Sequence, residues 1–224
     1  MVTPRANTDD LVIRIDGSLP ISAGPVAALG ALCDKAEGGE GRVIVHVSGA
    51  PNGSWTRDLT VAQVSRWERA LRRLERLTTT TIAVACGDCG GLALDALLAT
   101  DYRIATPATR LVVPVGADAT WPGMATYRLC QQAGAARTRK AVLFGIPIGA
   151  KEALALHLID ELVDDPATAL DETAALTGAF SGPELAIRRQ LMFDATITSF
   201  EDALGLHLAA CDRALRKSAT EVAS

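Results

Sequence analysis

Between Thr81 and Ala105 the chain reads TIAVACGDCGGLALDALLATDYRIA, and these residues say more about the molecule than any others. The apolar run Thr81 to Ala85 has the length and composition of a short buried strand. Gly87, Gly90 and Gly91 then form a turn into a helix over Leu92 to Ala99, and Tyr102 to Ala105 is the next strand. Apart from Asp95, residues Leu92 to Ala99 are all apolar, so this is a core helix carrying one charge. If the helix begins at Leu92, its first N–H groups lack intrahelical acceptors and sit at the positive end of the macrodipole, where an anionic oxygen is favoured. Asp95 lies three residues on, on the same helical face, and helical side chains lean toward the N-terminus, so its carboxylate can approach that oxygen. One short helix could then stabilise an oxyanion and move a proton. The plainer alternative is an Asp95 that faces solvent or pairs with an arginine.

Upstream, Leu11 to Asp16 alternates apolar and polar residues, and Pro20 and Gly24-Pro25 interrupt the chain before Val26, Leu29, Leu32 and Cys33 repeat at helical spacing. Arg42 to Ser48 is a second, β-branched strand that ends in the loop Gly49 to Trp55. Thr60 caps a helix with Val64, Trp67, Leu71, Leu74 and Leu77 as its buried stripe. Arg66, Arg69, Arg73 and Arg76 line another face, either solvated or a surface for a partner or phosphate. Downstream come a strand over Arg110 to Val115, the Trp121-Pro122-Gly123 turn, helices near Ala125 to Gln132, Thr138 to Phe144 and Lys151 to His157, and a strand over Ile159 to Val163. Beyond Pro166 the pattern is helical. Strands alternating with helices and then helices alone predict an α/β core over 1–165 and a helical region over 166–224 in one structural unit, without repeats or linkers.

The chain has 224 residues, 49% hydrophobic and 21% charged, with a net charge of -4. A globular chain of this size buries roughly 70% of its surface on folding, enough for one large core. Disordered and collagen-like classes are excluded by composition. The acidic balance argues against nucleic acid and anionic membrane surfaces as partners, since both need clustered positive charge. Ile82 to Thr100 is nearly long enough to span a bilayer, but Asp88 and Asp95 would each cost ~3 kcal/mol there. Met1 to Asp10 is polar and has no apolar signal region, which predicts a cytoplasmic protein. The five cysteines are odd in number and scattered, so a disulfide framework is not expected. Cys86 and Cys89 form a C-x-x-C that would suit a dithiol pair or half a zinc site. Zinc lacks ligands, because no second C-x-x-C exists and His46, His157 and His207 are isolated; no metal is expected. His46 shares a strand face with Ile44 and Ser48 and reads as a core or edge histidine. Gly53-Ser54-Trp55 lacks the second glycine of a nucleophile elbow, and Gly87 to Gly91 has no following Lys-Ser/Thr for a phosphate loop. Asp58 and Asp118 fall in loop-like stretches, where turn-forming or capping aspartates are common.

Several of these segments together resemble the crotonase (enoyl-CoA hydratase/isomerase) superfamily. Thr81 to Ala105 is similar to its central block, in which a strand leads through an alanine- and glycine-rich turn into a helix followed by Asp-x-Arg-Ile-Ala; here that element is Asp101-Tyr102-Arg103-Ile104-Ala105. Trp55-Thr56-Arg57-Asp58-Leu59, after Val43-Ile44-Val45, resembles the Ala-Gly-x-Asp-Leu loop. Trp121-Pro122-Gly123 resembles Ile-Pro-Gly, and Gly145 to Val163 resembles the stretch that ends in Gly-Leu-Val-x-x-Val. The similarity runs from about Leu11 to Leu191.

The resemblance implies a spiral of ββα units with a C-terminal helical region for trimerisation, giving a homotrimer or hexamer. It implies an acyl-CoA thioester as substrate and no separate cofactor. The backbone amides of Arg57 and Leu92 would hold the thioester oxygen while the α-carbon becomes an enolate, with Trp55, Thr56, Gly91 and Trp121 around the substrate. Asp95 matches the first catalytic glutamate of hydratases, a position where dienoyl-CoA isomerases have aspartate. The second hydratase glutamate corresponds to Val115 after Pro114, which leaves Asp118 as the candidate substitute and puts two-carboxylate water addition in doubt. Trp55-Thr56 in place of Ala-Gly, Ala93 as the third residue of the glycine triplet, and the short chain mark a divergent member. Within the superfamily the chain most resembles the small crotonase-like proteins of dihydroxyphenylglycine pathways in glycopeptide-antibiotic producers. Those work beside a type III polyketide synthase, helping to dehydrate and aromatise a cyclised intermediate toward 3,5-dihydroxyphenylacetyl-CoA. On that likeness the chain is either an enzyme of antibiotic biosynthesis or a weakly catalytic accessory that activates the synthase.

Overall fold

The computed structural model describes residues 10–39, 41–53, 55–116, 118–177, 180 and 182–222. Five strands run parallel in the order β1 (Leu11–Asp16), β2 (Val43–Gly49), β3 (Thr81–Gly90), β4 (Tyr102–Ala105) and, further along the chain, β7 (Glu161–Leu162). β5 (Arg110–Val112) lies parallel to the far end of β3, and β6 (Ile148–Gly149) pairs antiparallel with β5. The turn expected at Gly87 is therefore strand: β3 continues to Gly90 because Asp88, Cys89 and Gly90 pair with Arg110, Leu111 and Val112. Asp88 and Arg110, facing partners in that register, also form an ion pair of 2.6 Å. The strand expected over Arg110 to Val115 stops at Val112, before Pro114, which has no N–H for a ladder.

The side-chain period of two divides the sheet into two apolar layers. Val43, Val45 and Val47 of β2 and Ala83 and Ala85 of β3 face a large core shared with α1 (Ala23–Gly38), α2 (Val61–Leu74) and α3 (Leu92–Leu98). Ile44, Ile82, Val84 and Ile104 face the other way, toward Ala169 and Leu170 of α7 (Pro166–Thr177). His46 is on this second face, half-buried, and burial lowers its imidazole pKa, with Arg14 adding to the effect. The stripe read from the sequence holds in α2, where Trp67, Leu71 and Leu74 are fully buried. Thr60 caps α2 reciprocally, accepting from the Gln63 amide while its own amide donates to Oε1 of Gln63. Of the arginines on the opposite side, Arg73 pairs with Asp34 and Glu37 of α1, and Arg69 donates to Ser65.

Beyond β5 the chain forms α4 (Met124–Ala133), α5 (Ala135–Phe144), α6 (Ala150–Ala155), α8 (Pro183–Asp194) and α9 (Phe200–Val222). Asp101 and Arg103 tie these parts together. Asp101 accepts from the amide and hydroxyl of Thr81 at 2.9 Å each and receives a two-pronged ion pair from Arg189 of α8. Arg103, buried beneath α3, donates to the Leu98, Thr100 and Leu158 carbonyls and to Gln132. Among the described residues no helix is long and apolar enough to cross a membrane.

Candidate active site

α3 enters the core through Gly91, whose φ of +52° and ψ of -127° suit only glycine. A Cβ there would also crowd the Gly17 carbonyl and Pro51, both 3.2 Å away. All seven residues of α3 are buried, and Asp95 is its only polar side chain. The first helical hydrogen bond runs from the Asp95 amide to the Gly91 carbonyl, so the amides of Leu92, Ala93 and Leu94 precede the first closed turn.

Asp95 neither faces solvent nor pairs directly with an arginine. Its Oδ2 accepts from the indole Nε1 of Trp67 at 3.0 Å, and the backbone amide of Ala125, at the start of α4, donates to the same carboxyl. The group thus lies between α2 and α4, held from both sides. Burial, and then the nearby charge of Glu68, push its pKa up to about 7; Arg128 and the two hydrogen bonds offset part of that rise. A carboxyl titrating near neutrality has the acidity a general acid and base needs at physiological pH.

Asp95 borders a small cavity of about 10 Å³, room for roughly one water. Gly91, Trp55 and Trp121 border it too, so the structure brings four of the sequence-predicted residues to one point. Ile21, Val113, Pro114 and Ala125 complete an otherwise apolar lining. The rings of Trp55 and Trp121 meet edge to face, with centroids 5.1 Å apart and an interplanar angle of 73°. Nε1 of Trp55, one of the residues that border the cavity, is buried without a hydrogen-bond partner.

The other predicted residues lie farther out. Thr56 and Arg57 continue the turn from Trp55, half-buried and exposed respectively, and Leu92 follows Gly91 with its side chain in the core. Asp118 is exposed on a turn closed by the Gly116 amide and the Ala119 carbonyl, and it is not part of the cavity lining. Pro114 reaches the cavity, but Val115 is 55% exposed and lies against Gly145. The C-x-x-C offers no reactive pair: the Cys89 thiol is buried, pushed up to about 12 by desolvation, and Cys86 is exposed. No group of three or more His, Cys, Asp or Glu placed to hold a metal occurs among the described residues.

Sequence reasoning took Trp67 only as an apolar knob, and it missed the charges behind Asp95. Arg128 donates to Glu68 at 2.9 Å and to Glu75 at 2.8 Å, all three largely shielded from water. A larger groove of about 620 Å³ lies on the far side of α4, where Arg72, Tyr127, Arg128, Met192 and Phe193 are part of its wall. None of the predicted site residues lines it. Its size suits a ligand better than the cavity does, but the buried carboxyl of Asp95 borders the smaller space.

No family model matches the chain. An enoyl-CoA hydratase of Amycolatopsis orientalis is 58% identical over 214 residues, spanning 94% of this chain and 98% of that protein. Among solved structures, an enoyl-CoA hydratase/isomerase family protein from Silicibacter pomeroyi superposes with a TM-score of 0.78 at 19% identity, covering 92% of this chain and 95% of its own. An enoyl-CoA hydratase from Shewanella pealeana gives 0.77 at 16% identity over 92% and 84%. These structures share the fold; the near relative, matched over almost its whole length, shows the kinship. The chain belongs to the enoyl-CoA hydratase/isomerase family of the crotonase superfamily.

Proposed function

We propose that the chain binds an acyl-CoA thioester at the Asp95 cavity, holds its carbonyl oxygen as an enolate on the backbone amides of Arg57 and Leu92, and moves a proton with Asp95. The ionised carboxylate takes the α-proton and the electron pair passes to the thioester oxygen. As the carbonyl re-forms, a β-hydroxyl leaves with the proton that Asp95 returns to it, and water is lost. Returning the proton to a conjugated carbon instead gives double-bond migration of the dienoyl-CoA isomerase kind. Neither course needs a cofactor besides the CoA thioester itself. The observation that carries the reading is the single buried carboxyl, near neutral in pKa, on an apolar cavity that begins at a helix start. Oxyanion donors contribute ~3 to 4 kcal/mol each and acid-base transfer about 10² to 10⁴ in rate. The sequence resemblance makes the substrate a cyclised, polyketide-derived thioester on its way to 3,5-dihydroxyphenylacetyl-CoA, and a CoA substrate fits a cytoplasmic setting.

The cavity as it stands has room for a water and none for an acyl chain, so substrate entry requires the Trp55–Trp121 pair to part. A trimer is the expected assembly, with its candidate surface on the uncovered apolar residues Met192, Ile197, Phe200, Leu204 and Leu208.

One observation favours a second reading. Val115 and Asp118 both lie away from the cavity, so a hydratase's second carboxyl is not at hand, as suits an accessory that activates a type III polyketide synthase. Synthase product formed in the presence of wild-type protein, Asp95→Ala and Asp95→Asn separates the two. Chemistry at Asp95 predicts at least a hundredfold loss of the stimulated rate with Asp95→Ala and retained substrate binding with Asp95→Asn. Equal stimulation by all three proteins would establish the accessory role and dismiss Asp95 as catalytic.

A further inference from the structure

The chemistry above leaves unexplained the charged cluster behind Asp95. Glu68 directly follows Trp67 on α2, and Arg128 lies three residues past Ala125 on α4. Trp67 and Ala125 are the two residues that hydrogen bond to the Asp95 carboxyl from opposite sides. Arg128 joins the flanks through its 2.9 Å bond to Glu68, and it also holds Glu75, which Arg72 pairs from the rim of the groove at 2.5 Å. The side chains of Arg128 and Glu75 are 6% and 7% exposed, and that of Glu68 is 18% exposed. Two guanidinium groups thus match two glutamates, and an ionised Asp95 adds one unmatched negative charge to a shielded patch. The charged side chains acting on Asp95 are Glu68 from α2 and Arg128 from α4; α3 carries no other charge, and the cavity wall has no charged residue apart from Asp95 itself.

We propose that Glu68 and Arg128 are positioning residues for Asp95: Glu68 favours the protonated carboxyl, Arg128 opposes it, and their balance sets the pH at which Asp95 turns from acid to base. The pair does so without touching substrate, through charge in a medium of low dielectric, where a nearby charge shifts an ionisation by about one pH unit or more. The assignment deepens the proposed function and rests on Asp95 as its proton-handling group.

The chain has three tryptophans, so ¹H–¹⁵N spectra give three indole cross-peaks, and that of Trp67 reports the carboxyl to which it donates. In the wild-type protein this peak is expected to titrate near pH 7, and in Asp95→Asn that transition is expected to vanish. Glu68→Gln should lower the midpoint by about one pH unit, and Arg128→Gln should raise it by a similar amount. A midpoint that Glu68→Gln leaves in place or moves upward overturns the proposal, as does a transition that persists in Asp95→Asn. Should Arg128→Gln not fold, Arg128→Lys is expected to keep the wild-type midpoint, and Glu68→Gln decides. No substrate enters these spectra. Midpoints that move as expected while Asp95→Asn and Asp95→Ala keep full stimulation would retain this assignment and sink the proposed function.

Discussion

A carboxyl held protonated by its surroundings makes the folded state sensitive to pH, and Asp95 gives that sensitivity a sign. Its ordinary value of 3.8 applies to the unfolded chain, and burial raises it to about 7 in the fold. The folded protein therefore keeps a proton that the unfolded chain has already released. The stabilisation this gives is complete below about pH 4 and is lost as pH rises through 7, by on the order of 4 kcal/mol. Asp95→Asn keeps an acceptor for the Trp67 indole and has no proton to lose. Its unfolding free energy is expected to stay level between pH 4 and 8 relative to the wild-type protein, which should weaken. Urea titrations of both proteins across that range measure the difference. Parallel curves would show that Asp95 ionises in the fold as it does in the open chain. The same environment explains why the residue was legible at all, since a lone aspartate among Leu92, Ala93, Leu94, Ala96, Leu97 and Leu98 needs a reason to be buried. Glu68 and Arg128 gave no such signal. They find each other across 60 residues of sequence, and on their own helices both look like ordinary surface charges.

At the level of elements, what periodicity could show was the strand and helix order, and what it could not show was how the pieces lock. Asp101 and Arg103 stood out in the sequence as a motif, but the structure supplies the cause. Arg189 of α8, 88 residues away, reaches back to Asp101 and to the carbonyls of Glu75, Leu77 and Thr79, closing the helical region onto the end of α2 and the start of β3. Local patterning carries no trace of a contact of that separation. Nor could glycine content alone reveal that β3 runs on to Gly90, because that extension depends on β5 as partner. Arg189→Ala removes five hydrogen bonds, three of them to backbone carbonyls, and leaves Asp101 to Thr81 and to water. The expected cost is about 2 to 3 kcal/mol. Arg189→Lys should recover less than half of it, since an ammonium cannot reproduce the planar fork. Urea midpoints for the three proteins decide, and an alanine variant within ~1 kcal/mol of the wild type would mean that α8 is held by other contacts.

For the molecule as a whole, the uneven part is its C-terminal end. The core is covered on both faces of the sheet, yet α9 extends over 23 residues with no buried side chain among those described. Phe200, Leu204, Leu208, Cys211 and Leu215 recur at intervals of three and four, so they form one stripe along that helix. Phe200, Leu208 and Leu215 are 75%, 58% and 71% exposed. On a single chain this stripe leaves apolar area in water, and burying each leucine against a second copy would contribute about 2 kcal/mol. Self-association around this helix is the assembly that the trimer reading requires, and it places the load on particular side chains. Wild-type protein at micromolar concentration is expected to sediment at about 70 kDa, three times the 23.4 kDa chain. The double substitution Leu204→Glu with Leu208→Glu puts two carboxylates on the stripe without touching the core, and should yield a folded monomer with an unchanged Trp67 indole peak. A wild-type protein that already sediments as a monomer would leave the stripe without that role, and a double variant that stays trimeric would place the interface elsewhere on the chain.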